Sequence, residues 1–440
     1  MGDIFFYIIL FGVTLATFVQ PWIGVVSYYL LSILGPQYIW WWVFGDIRAS
    51  FIIGMTTIIS IFIHFFSSNT YDLGFIWNKK NVIIGIMWIH LILSYFLGPY
   101  ADGFSYSFSG LSPEQLFSIT NTIFVIYFFS SLEINSLFKL KYLFLMFSAC
   151  VIYLIYWANL QYFTQNWYQF NWGRLMGPIS LTGGSIYKDE NTFAMLFVTG
   201  LPFVYYLSLE FKSRAFRYIL WSVIPFGFHA VFLTGSRGGL LGLCVSLVCI
   251  VLLSSRRALL VPLILLFMVF FQWQGGAVML QRSTQIVNIE GERSAGDRLT
   301  AWQGGIRMIV DNPVSGVGLG SFVTALPDYI ESRHMVAHNT FIQFSAESGI
   351  GCGLAYVLII ALFVKHSLFV RDMCKSETFC SSLKNKILNY NNAVFVSFVG
   401  LITCSLFLSL NTYEVFYFLV LMNNSLFVLI KRKNLILSSS

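Results

Sequence analysis

The chain has 440 residues, of which 57% are hydrophobic and 10% are charged, and its formal net charge is +7. Soluble domains carry about a quarter charged residues, so this composition excludes a water-soluble enzyme. The aromatic residues are too many for a barrel interior and ten-residue alternation is missing, which excludes a membrane β-barrel. The basic residues form no continuous stripe, which argues against nucleic-acid binding. The sequence therefore predicts an all-α polytopic membrane protein.

Apolar runs close to the length of a membrane-spanning helix follow one another along the chain. The first two are short and only Gln20 and Pro21 separate them, so they form either one broken element or two spans. The total is twelve or thirteen, and we predict twelve in a single membrane domain, residues 1–440. The N-terminus has no basic region and no cleavage site, so we expect it to be kept as the first span. The predicted spans are residues 4–19, 22–34, 51–67, 82–98, 114–132, 142–158, 191–209, 217–234, 239–254, 257–272, 350–367, 392–410 and 415–430.

The distribution of basic residues in the loops predicts the orientation in the membrane. Lys and Arg concentrate in every second loop, and such loops face the cytoplasm. These loops contain Lys79 and Lys80, Lys139 and Lys141, residues 212–217, Arg256 and Arg257, residues 365–386, and residues 431–433. The longest loop on the opposite, outward face is residues 272–337, whose five arginines we expect mostly to pair with its six acidic residues. The seven cysteines lack metal or disulfide spacing, so we expect neither kind of site.

The span interiors contain almost no charged residues, which favours an enzyme over a transporter. Unusual polar residues lie instead in three outward segments. The first contains Arg174, Asp189 and Asn191, where Asp189 also fits a helix N-cap. The second is the turn Ser236-Arg237-Gly238-Gly239, whose small residues allow close backbone approach and leave one guanidinium projecting. A snorkelling arginine is the simpler alternative for Arg237.

The third outward segment runs from Arg293 through Arg298 and Trp302 to His338 and Asn339. Its glycine-rich part, residues 311–320, follows no βαβ pattern, so it indicates a closely packed turn rather than a nucleotide loop. A neutral imidazole at His338 can accept a proton near neutral pH. Guanidinium groups bind phosphate oxygens in a planar, bidentate geometry, which suits the arginines to a phosphorylated substrate.

Together these motifs resemble the bacterial O-antigen ligase and polymerase superfamily of integral membrane glycosyltransferases, over roughly residues 174–353. The marks are Ser236-Arg237-Gly238-Gly239, Arg298 with Trp302, the run from Asp311 to Phe322 with its spaced glycines, and His338-Asn339 followed by nine residues to Gly349. The family's ligase pattern expects Gly, Thr or Tyr three residues after that glycine, where this chain has Cys352. This departure weakens the assignment to ligase over polymerase.

The resemblance implies a C-type glycosyltransferase fold in the bacterial inner membrane, with its active site at the periplasmic face. It implies a metal-independent reaction without a cofactor, in which a glycan passes from undecaprenyl diphosphate to a lipid A-core sugar hydroxyl. If the hydroxyl attacks the anomeric carbon directly, with no covalent intermediate, we expect an inverted configuration. Arg237 and Arg298 would stabilise the diphosphate and His338 would be the base. Arg293, Arg174, Asp189, Asn191, Asn339 and Trp302 would bind substrate.

Three alternatives remain open from the sequence. The first two keep the donor and change the acceptor, to another repeat unit in a polymerase or to a protein Ser/Thr in an oligosaccharyltransferase. The third is a flippase for lipid-linked glycans or another transporter, which inverted repeats would support. The sequence shows no such repeats by inspection.

Overall fold

The computed structural model describes residues 2–44, 47–67, 71–100, 111–180, 183–184, 186–254, 258, 265, 268–269, 291–375 and 380–438, and the side chains within these ranges except at residues 2–3, 183–184, 291–295 and 433–438. The described chain is mainly helical, as predicted. Its helices are α1 (Gly2–Val19), α2 (Pro21–Leu34), α3 (Pro36–Ile39), α4 (Trp41–Phe44), α5 (Ala49–Ser67), α6 (Lys79–Leu97), α7 (Pro113–Glu133), α8 (Leu137–Phe163), α9 (Glu190–Glu210), α10 (Arg214–Thr234), α11 (Arg237–Leu253), α12 (Gly291–Asp311), α13 (Phe322–Tyr329), α14 (Thr340–Ser348), α15 (Ile350–Lys375), α16 (Ser381–Ser405) and α17 (Glu414–Ser438).

Nine helices in the described ranges are long and apolar enough to cross a membrane: α5 to α10 and α15 to α17. Ile4–Val19 and Arg237–Leu253 are shorter apolar helices. The multi-pass membrane protein predicted from composition is thus confirmed, whereas the predicted total of twelve spans stays a prediction. The predicted span 257–272 lies almost entirely outside the described residues.

The first two predicted spans are two separate helices that pack against each other and against α5. Pro21 occupies the first position of α2, where a missing N–H costs nothing. The predicted span 392–410 has wrong boundaries, because α16 covers Ser381–Ser405. Lys384 and Lys386 interrupt the apolar run there, but they lie in the first turns of the helix.

The predicted outward loop 272–337 is not a simple loop in its described part. It contains α12, whose 21 residues place polar and apolar side chains on different faces, and the short α13. A second small core joins these helices to α14 through Ala301, Met308, Phe322 and Leu326. The segment is therefore a packed helical unit attached to one end of the bundle.

The centre of the bundle is α9, which packs against α8, α10, α11 and α16 and is buried along most of its length. Small residues let the central helices approach closely, as is common where lipid supplies no hydrophobic drive for helix association. A Cβ atom on Gly242 of α11 would lie 2.5 Å from Cys404 Sγ of α16. A Cβ atom on Gly400 would lie 2.3 Å from Ser246 Oγ. These contacts fix the position of α11, whose first residue is Arg237.

Two short hairpins lie between α8 and α9. Phe170–Asn171 (β1) pairs with Arg174–Leu175 (β2), and Ile179–Ser180 (β3) pairs with Gly183–Gly184 (β4), both antiparallel. The first hairpin places Arg174 beside the end of α10, where the polar groups described next come together.

Candidate active site

The first part of the site is the start of α9. Asp189 caps this helix by accepting hydrogen bonds from the backbone N–H groups of Asn191 and Thr192, each at 2.9 Å. Arg174 of β2 donates from Nη2 to Asn191 Oδ1 at 3.1 Å and from Nε to the Thr234 carbonyl at 3.0 Å. It also forms an ion pair with Glu190. Arg174 therefore ties the start of α9 to the end of α10.

The second part is the turn between α10 and α11. Gly235 ends α10 with a left-handed backbone (φ 61°), and Ser236 caps α11 by accepting from the N–H of Gly239 at 3.1 Å. A Cβ atom on Gly239 would lie 2.6 Å from Ala194 Cβ, so the turn packs against α9. The close approach predicted for this turn is confirmed. Arg237 is exposed at its tip.

Arg298 lies on α12 and is partly buried. Burial lowers the pKa of its guanidinium, and the positive charge of Arg237 lowers it further. The second effect shows that these two arginines, 61 positions apart in the sequence, are electrostatic neighbours. Two neighbouring guanidinium groups repel each other, and an anion bound to both would relieve that repulsion.

His338 is held in a left-handed backbone conformation, with φ 49°. Residues on both sides fix it. Trp302 donates its indole N–H to the Ala337 carbonyl at 2.9 Å, and the Ala337 N–H donates to Gln343 Oε1 at 2.9 Å. Asn339 caps α14 by accepting from the N–H of Ile342 at 3.1 Å. Such a conformation costs free energy in a residue with a side chain and persists only where its surroundings enforce it.

Burial and three charged residues act on the imidazole of His338. Burial is the largest cause that lowers its pKa below the ordinary value, and Arg298 and Arg333 lower it further, whereas Asp189 opposes them. The imidazole is therefore neutral at neutral pH and can accept a proton. The acidic partner expected for an outward arginine is confirmed at Arg333, which contacts Asp297 at 2.6 Å.

Electrostatic effects link four of the predicted site residues: Arg237 acts on Arg298, and Arg298 and Asp189 act on His338. Arg174 and Asn191 lie beside Asp189, and Trp302 and Asn339 hold the backbone next to His338. The side chain of Arg293 lies outside the described residues. In the described ranges, no three His, Cys, Asp or Glu side chains are grouped to hold a metal ion.

Glu347 of α14 is a central residue whose role the sequence does not reveal. Its carboxylate accepts hydrogen bonds from Gln343 Nε2 at 2.7 Å, Asn411 Nδ2 at 2.6 Å and the backbone N–H of Phe322 at 3.4 Å. Burial raises its pKa to about 7. Its side-chain partners are amides rather than cations.

Through Gln343, this buried carboxylate is linked to the residue before His338. Gln343 donates to Glu347 with its nitrogen and accepts from the Ala337 N–H with its oxygen. The glycine-rich segment packs on the same residue, because the Gly318 N–H donates to the Glu347 carbonyl at 3.1 Å. In the sequence, the only signals of this contact are a lone glutamate, Glu347, on a short helix and the three spaced glycines Gly316, Gly318 and Gly320.

Comparison with known proteins assigns this region to a family. Residues 222–358 match the family model described as O-antigen ligase. The matched segment contains Arg237, Arg298, His338 and Glu347, and it leaves Arg174 and Asp189 outside. The comparison with curated proteins finds no match.

Proposed function

We propose that the chain, whose residues 222–358 match the family model described as O-antigen ligase, is an O-antigen ligase of the bacterial inner membrane. In this proposal a glycan passes from undecaprenyl diphosphate to a sugar hydroxyl of lipid A-core at the periplasmic face. The observation that carries the proposal is a neutral His338 on backbone that Trp302 and Asn339 hold in place, with the charge of Arg298 acting on its ring and that of Arg237 acting on Arg298. A donor of this kind needs cations for its leaving group and a base for its acceptor.

The two arginines stabilise the leaving diphosphate. Negative charge grows on the phosphate oxygen as its bond to the anomeric carbon breaks, and groups fixed where this charge develops lower the barrier. The charge of Arg237 acts on Arg298, so the two guanidinium groups are placed to share one diphosphate. Arg293 on the first turn of α12 and Arg174 beside α9 assist as substrate-binding residues.

His338 is the general base. The acceptor hydroxyl oxygen attacks the anomeric carbon, its proton moves to the imidazole, and the bond from that carbon to the diphosphate oxygen breaks. The resulting imidazolium is stabilised by the negative charge of Asp189, which favours the protonated ring. Because the attack is direct and opposite to the leaving group, the configuration at the anomeric carbon inverts.

The surrounding residues position this chemistry. Trp302 and Asn339 fix the backbone on either side of His338, so they act through the base as well as lining the acceptor side. Asn191 is held by Arg174 at the start of α9, on the side of Asp189. The proposed reaction uses only these side chains.

The decisive experiment is glycan transfer by purified protein in proteoliposomes that contain undecaprenyl-diphosphate O-antigen and lipid A-core. We expect wild type to form the ligated product and His338→Ala to form none. His334→Ala is the matched control, because His334 lies four positions earlier in the same segment and contacts the Val323 carbonyl instead. An active His338→Ala enzyme, or a product with retained configuration, would refute the mechanism.

A polymerase with the same donor is the second candidate. Cys352 stands where the ligase pattern expects Gly, Thr or Tyr, and this departure favours a polymerase. The proposed roles of Arg237, Arg298 and His338 are the same for either acceptor. The same proteoliposomes separate the two, since a polymerase lengthens the donor glycan and leaves lipid A-core unmodified. If neither product forms, glycan transport becomes the leading function.

A further inference from the structure

A groove lies at the end of the bundle opposite the candidate active site. Helix α15 begins beside the glycine-rich segment, where the Ile350 N–H donates to the Pro313 carbonyl. Helix α6 ends there at Leu97, and the next residue, Gly98, lies against Gly318. The groove lies at the other ends of these two helices and beside the end of α17, and it has a volume of about 940 Å³. It is therefore separate from the site described above.

The walls of the groove are apolar and its rim is basic. Val82, Ile83, Leu362 and Phe369 line its sides. Three exposed lysines surround it: Lys79 at the start of α6, Lys365 on α15 and Lys431 on α17. A fourth basic residue, Arg432, is already paired with Asp72.

The three lysines have no carboxylate partner within the described part of the chain. Each comes from a different helix, and the fold brings them to one opening. Lys365 and Lys431 line the groove together with His366. Three positive charges at the mouth of an apolar groove complement a molecule with an anionic head and an apolar tail.

His366 supplies an independent indication of a ligand. It lines the groove and is only 6% exposed, and its ring stacks on Phe427 with the ring centres 3.6 Å apart. Its Nδ1 atom is buried and makes no hydrogen bond with any described residue. A buried polar atom without a partner costs free energy, so a donor or acceptor from outside the chain would satisfy it.

We propose that this groove binds an anionic glycerophospholipid of the cytoplasmic leaflet. The phosphate lies among Lys79, Lys365 and Lys431, and an acyl chain lies along Val82 and Leu362. Basic pockets between helices on the cytoplasmic side favour anionic head groups, and the positive-inside pattern assigns this end to the cytoplasm. Trp77, 72% exposed at the groove mouth, is the type of side chain that anchors proteins at the lipid head groups.

The test is native mass spectrometry of the full-length protein, stripped of lipid in detergent and titrated with phosphatidylglycerol or phosphatidylcholine. We expect at least one tightly bound phosphatidylglycerol and weaker binding of phosphatidylcholine. Each lysine near an anionic lipid strengthens binding several-fold, so Lys79→Gln, Lys365→Gln and Lys431→Gln combined should weaken phosphatidylglycerol binding roughly a hundredfold.

The matched control is the triple variant Lys141→Gln, Lys212→Gln and Lys375→Gln. It removes the same charge from exposed lysines on the same face but outside the groove, and we expect it to bind phosphatidylglycerol like wild type. Equal loss in both triple variants, or equal binding of the two lipids by wild type, would overturn the proposal.

A second variant tests the apolar part of the groove with all lysines present. Val82→Trp fills the wall at a position that is 47% exposed, so the change needs no rearrangement of the core. We expect it to weaken phosphatidylglycerol binding while the protein stays monodisperse. If Val82→Trp binds phosphatidylglycerol like wild type, the lysines attract the lipid only as surface charge. That result would contradict an acyl chain in the groove.

Discussion

The balance of charges around a single imidazole decides when the site can work. The pKa of His338 lies below the ordinary value because burial and the charges of Arg298 and Arg333 oppose protonation, while Asp189 favours it. The base is thus neutral, and ready to accept a proton, to a lower pH than an exposed histidine. Removing a negative or a positive neighbour of His338 should therefore shift the pH at which its imidazole becomes protonated in opposite directions.

We expect the acidic limb of the pH profile of kcat/KM to lie below about pH 6.5, the ordinary histidine pKa. Asp189→Asn removes the charge that raises the pKa of His338, so the limb should move to lower pH. Asparagine also caps helices well, so α9 should keep its start. Arg333→Gln removes a charge that lowers the pKa, so the limb should move to higher pH. Shifts in the same direction, or none, would contradict His338 as the base.

Replacing Arg237 or Arg298 by lysine tests the geometry of the cation rather than its charge. An ammonium group cannot form the bidentate contact with phosphate that a guanidinium forms. We expect each change to lower the transfer rate about a hundredfold, the size typical of losing one fixed donor in a transition state. Arg307→Lys is the control, because Arg307 is exposed on the same helix and donates to the Tyr329 carbonyl. Near-normal transfer by both site variants would refute the bidentate role.

At the scale of elements, the segment between α12 and α14 depends on glycine at two contacts with α14. Gly316 has φ 66°, and a Cβ atom there would lie 2.2 Å from the backbone carbon of Glu347. Gly349 has φ 83°, and its Cβ atom would lie 2.1 Å from the Val314 carbonyl oxygen. Backbone strain and overlap therefore act together at both positions, so the glycine-rich segment and α14 form one unit.

Gly316→Ala should destabilise this unit by about 1–3 kcal/mol from backbone strain alone, and by more from the overlap. Gly296→Ala on α12 is the matched control, because a Cβ atom there meets nothing within 4 Å. Alanine in an open helical position should leave stability unchanged or raise it by up to about 1 kcal/mol. Thermal unfolding in detergent measures both. Equal unfolding temperatures for the two variants would show that the glycine-rich segment does not depend on this contact.

Local signals in the sequence predict several element boundaries correctly. Asp189 and Asn339 are side-chain types that cap helices, and Gly235 with Ser236 marks the tight turn, so these elements follow from their own residues. A search for apolar runs does not detect the helices of the predicted outward loop, because α12 is amphipathic rather than apolar throughout. Hydropathy identifies segments that lipid would bury and overlooks segments that only the protein buries.

The site shows the same limit. Arg237, Arg298 and His338 can be selected one by one from residue type and position, but their proximity depends on how α11, α12 and α14 pack. Glu347 is the clearest example, since its partners Phe322, Gln343 and Asn411 come from three segments and a lone glutamate predicts none of them.

At the scale of the whole molecule, the candidate site and the basic groove lie at opposite ends of α15. The positive-inside pattern assigns the groove end to the cytoplasm and the site end to the periplasm. Arg333 and Lys375 are exposed residues close to the two respective ends. Their accessibility to a reagent that cannot cross the membrane therefore tests the orientation.

In a background with Cys380→Ser, which removes the exposed native thiol, we expect Arg333→Cys to react with a membrane-impermeant maleimide in intact cells. Lys375→Cys should react only after the inner membrane is permeabilised. Because both substituted positions are exposed, labelling in permeabilised cells shows that each thiol is reactive. The reverse labelling pattern would show the opposite orientation in the membrane, with the candidate site facing the cytoplasm, which would contradict the proposed periplasmic reaction.

The proximity of the positive charges of Arg237 and Arg298 also affects how quickly the product is released. In the proposed reaction the donor diphosphate is esterified at both ends, whereas the released polyprenyl diphosphate has a free terminal phosphate and carries more negative charge. In that reaction, two neighbouring guanidinium groups hold the more highly charged species more strongly. We therefore expect the spent carrier to compete with the donor, through the same contacts that make it a good leaving group. The pace of glycan transfer then depends on how quickly the membrane clears that lipid for reuse.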